Sequence, residues 1–180
     1  MHIFPVLFVS KNSEYKLDVR FDGYDIERCA LSVNNCLPAV YHPPCRLFSK
    51  LKAFSKATQE EKRLAYWSIV RVRKHGGIVE HPLGSSLPRE VNFPGYNIFD
   101  NYGGVWVIIN QGDFGYYSKK PTILYIVGLK SLSQLPAYPL VFPRKLRKFS
   151  DLSPRQRSLT VIGLRDYFFE ILLTILSNMQ

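Results

Sequence analysis

Apolar residues along this chain fall in short runs bounded by proline, glycine and charge. "FPVLFVS" (4–10) is rich in apolar and β-favouring residues and predicts a first strand. In "KLDVRFDGYDIE" (16–27) apolar and polar positions alternate, and Asp22-Gly23 predicts a turn. "LPAVYHPPC" (37–45) predicts a short buried strand that must stop at Pro43, because proline brings no N–H to a sheet ladder. The clearest helix is "TQEEKRLAYWSIVRVRK" (58–74). Leu64, Trp67, Ile69, Val70 and Val72 mostly follow one helical face, and Thr58 with Glu61 forms a capping box. His75-Gly76-Gly77 ends it, since glycine accepts left-handed dihedrals. "GIVEHP" (77–82), "GVWVIINQGDFG" (104–115) and "TILYIVG" (122–128) predict further strands, the second running into a loop. The chain closes on an apolar helix at about 161–177, expected to pack on the sheet. Strand, long helix, strand is the pattern of a parallel βαβ unit, hence an α/β domain with helices on the faces of a mostly parallel sheet.

At 180 residues the chain is long enough for one domain, 1–180, with a sizeable core, and no internal repeat divides it. Charge changes the picture more than length does. The formal net charge is +10, and Lys and Arg thicken over 46–74 and in "PRKLRKFSDLSPRQR" (143–157), within a basic, proline-rich segment at 136–157. An anionic partner follows, nucleic acid first; a merely soluble basic surface is the other reading. Cys29, Cys36 and Cys45 are odd in number and lack metal-ligand spacing, which favours a reducing cytoplasm over a disulfide framework and gives no metal site. No apolar run approaches the ~20 residues that span a bilayer, and the N-terminus lacks the pattern of a signal peptide, so no membrane partner is expected.

Two strands end in reactive groups: Cys45 follows "AVYHPP" and Glu80 follows "GGIV". A crossover helix between them makes the strands neighbours, so thiol and carboxyl should share the carboxyl edge, where ligands of open α/β sheets collect. The loop "YYSKKPT" (116–122) could bring cations to the same edge.

These stretches resemble DNA cytosine-C5 methyltransferases. "PPCRLFS" is similar to that family's Pro-Cys nucleophile motif, "IVEHP" stands where the family has Glu-Asn-Val, and "INQGDFGYYSKKPTILYIVG" is similar to its N-x-x-D-F-G stretch and the strand after it. The resemblance covers residues 39–128. It is closer still to short phage- and prophage-encoded proteins, whose leading motif is matched by "YDIERCA" (24–30) with Cys29 in place of aspartate. The resemblance implies a curtailed Rossmann-like methyltransferase sheet in the cytoplasm, the host cell's if phage-encoded, with DNA before RNA as its partner. It implies that Cys45 attacks C6 of a flipped-out pyrimidine and that Glu80 contacts N3 and the exocyclic amine, with adenosylmethionine as cofactor. On the same footing Arg46, Ser49, His81, Tyr116, Tyr117, Lys119 and Lys120 are expected at the substrate, and Asp25, Pro43 and Pro44 at the cofactor. Arg46, beside Cys45, would lower the thiol pKa. Tyr116 and Tyr117 are the tyrosines expected to meet a base.

The chain departs from the family where the cofactor binds. "VSKNSEYK" follows the first strand, and no glycine occurs before Gly23. Two further readings therefore stand beside the modifying enzyme: a non-catalytic nucleic-acid-binding or counter-defence protein on a degenerate methyltransferase fold, and cofactor-free base chemistry in the same pocket. Cys45 as a buried structural thiol, Glu80 as a hydrogen-bonding anchor, and His42 and His81 as neutral histidines bonded to backbone are the corresponding structural roles.

Overall fold

The computed structural model describes residues 2–34, 36–49, 52–138, 147–153, 156–157 and 159–180. Six strands make one sheet: β1 (Phe4–Leu7), β2 (Phe21–Tyr24), β3 (Ala39–Tyr41), β4 (Gly77–Pro82), β5 (Gly104–Asn110) and β6 (Pro121–Val127), in the order β2-β1-β3-β4-β6-β5. The first four run parallel, and β6 runs antiparallel to both β4 and β5. The molecule is thus α/β with a mostly parallel sheet, as the sequence predicts.

Side chains alternate across the sheet, so successive residues of one strand face opposite helices. Val6, Val40, Ile78, Leu124 and Ile126 share a core with Leu164, Phe168, Ile171 and Ile175 of the closing helix, α3 (Ile162–Met179). Leu7, Tyr41, Val79, Ile123 and Tyr125 face Ala65, Ile69 and Val72 of α1 (Gln59–His75). A short α2 (Leu87–Glu90) follows β4. None of these helices is long and apolar enough to cross a membrane.

The helix signals work as their chemistry requires. Thr58 accepts the backbone N–H of Glu61 at 3.4 Å, and Gly76 closes α1 at φ 74°. The Glu61 carboxylate takes both of its 2.7 Å contacts from Arg46, so only half of the capping box forms. Pro43 and Pro44 follow β3 after one further ladder bond, from His42 N–H to the Leu7 carbonyl at 3.0 Å.

Asp22-Gly23 is not a turn. Both residues lie inside β2, opposite Pro5 and Val6 of β1. An Asp-Gly pair reverses the chain between antiparallel strands; here the chain has already crossed over in residues 8–20, where Asp18 accepts the N–H of Arg20 at 3.0 Å, and β2 enters parallel. In the basic, proline-rich stretch, residues 139–146 and 154–155 lie outside the described residues.

Candidate functional site

Parallel register sets the site. Tyr41 of β3 pairs with Val79 of β4, so the next residues, His42 and Glu80, come side by side. Each is two positions beyond a residue of the α3-side core, Val40 and Ile78, and alternation puts both on that face. His42 Nδ1 lies 3.0 Å from Glu80 Oε2. The chain then passes Pro43 and Pro44 to Cys45, at the start of a short 3-10 turn (Arg46–Phe48). Cys45, His42 and Glu80 line one cleft of about 490 Å³, with Phe8 and Ser13 from the β1–β2 crossover and Gln111 and Lys120 from the β5–β6 connection. Cys45 and Glu80 therefore open into the same space.

Glu80 is held by two elements. Its Oε2 faces His42, and its Oε1 accepts from Gln111 Nε2 at 3.0 Å. That amide also donates to Thr122 Oγ1 at 3.0 Å, whose hydroxyl in turn donates to the Lys120 carbonyl. Burial pushes the Glu80 carboxyl up, but the hydrogen bond and charge of His42, followed by Lys120 and His81, outweigh it and bring the pKa to about 2. Glu80 is thus an anion near neutrality. The Cys45 thiol moves the other way: burial first, and then the Glu80 charge, raise its pKa.

Arg46 acts on the Cys45 thiol in the expected, lowering direction but does not decide its pKa. Its guanidinium turns out to the Glu61 carboxylate, its side chain is 60% exposed, and its effect on Cys45 is outweighed. Of the other expected site residues, Pro43 and Lys120 line the cleft with Cys45 and Glu80, whereas Pro44 does not. Lys120 donates to the Arg157 carbonyl at 3.1 Å and sits 5.1 Å from the Tyr116 ring centroid. Lys119 is exposed, away from the cleft lining. Ser49 donates back to the Arg46 carbonyl at 3.1 Å.

His81 adjoins Glu80 in sequence but faces α1. It is fully buried, lies 2.7 Å from Ser85 Oγ through Nδ1 and packs edge-on to Phe48, and burial lowers its pKa to about 4. His42 and His81 thus sit on opposite faces rather than flanking one edge; His42 meets side chains, whereas His81 is a neutral histidine with a backbone bond at Pro44, as expected of a structural histidine. Tyr116 cannot stack on a base, because it is fully buried with its hydroxyl on the Gln156 carbonyl at 2.8 Å. Tyr117 is exposed but lines a separate, smaller groove beside the start of α3. Asp25 is 5% exposed; it bonds Lys16 and accepts the N–H groups of Glu27 and Arg28 at 2.9 and 3.1 Å.

Sequence reasoning missed Gln111 and Tyr15. Gln111 had a readable signal, an amide placed directly after the apolar strand and its closing asparagine, "VWVIIN". Tyr15 had none: it lies in a 3-10 turn (Glu14–Leu17), fully buried, with its hydroxyl 3.3 Å from His42 Nε2. Among the described residues no cluster of three or more histidine, cysteine or acidic side chains could hold a metal.

No protein-family model matches the chain, and no curated protein matches it.

Proposed function

We propose that the cleft receives a single pyrimidine base drawn out of nucleic acid, and that Cys45 adds reversibly to its C6 while Glu80 holds N3 and the neighbouring amine. The observation that carries this reading is the convergence of Cys45 and Glu80 on one cleft from the ends of adjacent parallel strands. Its volume suits one nucleotide-sized group. The strand order supports a doubly wound, methyltransferase-like plan: β2 and β3 leave β1 on opposite sides, and ligands of such sheets bind where the order reverses. The net charge of +10 supports an anionic polymer as partner.

Adenosylmethionine does not fit the residues present. Its ribose needs an accessible carboxylate after the second strand, and Asp25 is buried and already bonded to Lys16 and two backbone amides. Its approach to the backbone after β1 needs a glycine; Phe8 occupies that turn at φ 62°, with its ring edge-on to Trp67. The chemistry these residues support is addition to the base without a methyl donor: the S–H proton passes to water, Sγ bonds C6, the C5=C6 pair moves to C4=C5, the C4=N3 pair moves onto N3, and N3 takes a proton.

The test is capture of an oligonucleotide carrying 2-pyrimidinone, whose C6 is more electrophilic because the 4-amino group is missing. Wild-type protein is expected to form a denaturation-resistant adduct without added cofactor, mapping to Cys45 by mass spectrometry and absent from Cys45→Ser. The raised thiol pKa and the sequestered Asp25 favour the second reading, a non-catalytic nucleic-acid-binding or counter-defence protein. Salt-sensitive binding with no adduct would leave that reading standing and remove the first.

A further inference from the structure

We infer that His42 stores the proton that Glu80 passes to N3 of the bound base, the two side chains acting as one proton-sharing pair in the cleft. This rests on the base-addition reading above. The geometry is direct. His42 Nδ1 is 3.0 Å from Glu80 Oε2, and the two side chains are 14% and 16% exposed, both on the cleft. The imidazole is held in place between two rings, with centroids 5.5 Å away at Tyr15 and 6.3 Å away at Phe168 of α3.

Glu80 needs such a source. Held as an anion near neutrality, it has no proton of its own to give. Its other hydrogen-bond partner, the Gln111 amide, does not titrate in this range. Tyr15, from the β1–β2 crossover, keeps its proton, because burial and then the Glu80 charge raise its pKa far above the ordinary value. Lys120, before β6, is committed to the Arg157 carbonyl. Cys45, on the loop after His42, is the nucleophile. Arg165 of α3 acts on Tyr15, and His81 faces away, bonded to Ser85 and uncharged near neutrality. His42 is therefore the titratable group in hydrogen-bond contact with the Glu80 carboxylate among the described residues.

The proton cycle closes without a co-reactant other than water. Water takes the Cys45 S–H proton, imidazolium gives Nδ1–H to Glu80, and Glu80 gives it to N3 as Sγ bonds C6, the C5=C6 pair moves to C4=C5 and the C4=N3 pair moves onto N3. Water then protonates C5, N3 returns its proton through Glu80 to His42, and loss of either C5 hydrogen with departure of sulfur restores the base. The net result in heavy water is exchange of the C5 hydrogen for deuterium. His42 acts through Glu80 and is a positioning residue, not a catalytic one.

The experiment measures C5 deuteration of cytosine in an oligonucleotide by mass spectrometry for wild type, His42→Gln and Tyr15→Phe, each with and without added imidazole. His42→Gln should run about tenfold or more slower than wild type, with added imidazole restoring rate; Tyr15→Phe should show no such rescue. Retained 2-pyrimidinone capture by His42→Gln shows that the site is still folded. An unchanged rate in His42→Gln, or a lowered rate that imidazole does not restore, with capture intact, overturns the role of His42 alone. Absence of both capture and exchange in wild type overturns it together with the base-addition reading.

Discussion

Replacing Gly77 by alanine is expected to destabilise the protein by at least about 3 kcal/mol, in the range reached only when backbone strain and a clash coincide. Gly77 opens β4 at φ 124°, in the region that L side chains rarely adopt. A Cβ there would stand 2.1 Å from the Ala39 carbonyl oxygen and 2.7 Å from the Ala39 nitrogen. Both obstacles are backbone atoms of β3, which cannot swing aside as a side-chain end can. Relief requires β3 and β4 to part, and Ala39–Gly77 is the first pair of their register. That register brings His42 and Cys45 to Glu80, so the variant should lose the site along with stability. Urea denaturation reads the effect, with Gly84→Ala as control: a Cβ at Gly84 meets nothing within 4 Å, and that variant should be close to neutral. Equal midpoints for the two variants would mean that β3 and β4 are not joined in this register.

The second large effect concerns chemistry. Glu80→Gln should lower C5 deuteration of cytosine by about 100-fold or more, the scale on which a positioned acid contributes. Glutamine keeps the shape of the side chain and can still meet Gln111, but it cannot carry a proton to N3. Attack by sulfur would then push the ring electrons toward N3 with nothing to neutralise them. The protein should still fold, with a lower melting temperature because the carboxylate that His42 holds is gone, so folded protein with lost exchange is the expected pair of results. Exchange at the wild-type rate would remove Glu80 from the reaction.

Much of this architecture is legible in the sequence because it depends on local chemistry. Pro43 stops β3, Thr58 starts α1 and Gly76 ends it, and each does so by supplying or withholding one backbone hydrogen bond. The adjacency of the Cys45 and Glu80 strands follows from the one helix that links them. What sequence does not reveal lies in partners distant along the chain. Arg46 reads as the cation that sets the thiol, but Glu61 on the first turn of α1 draws its guanidinium outward, and burial with Glu80 decides the Cys45 pKa. Tyr116 reads as a loop aromatic until its hydroxyl meets Gln156. Asp22-Gly23 reads as a reversal because a short stretch cannot say whether the next strand is parallel. The pairing of His42 with Glu80 needs the sheet register, which neither residue carries alone.

The most direct test of the shared cleft is the pH profile of iodoacetamide labelling at Cys45, read peptide by peptide in wild type and Glu80→Gln, with the exposed Cys29 and Cys36 as reagent references. Thiolate is the reacting form. Burial and the Glu80 anion hold the Cys45 pKa above its ordinary value, so wild-type labelling should rise late, at alkaline pH. Removing the Glu80 charge should shift that rise to lower pH and speed labelling in the mildly alkaline range. A Cys45 profile that ignores Glu80→Gln, or that rises at or below the pH of an ordinary thiol, would mean that thiol and carboxylate do not face one another.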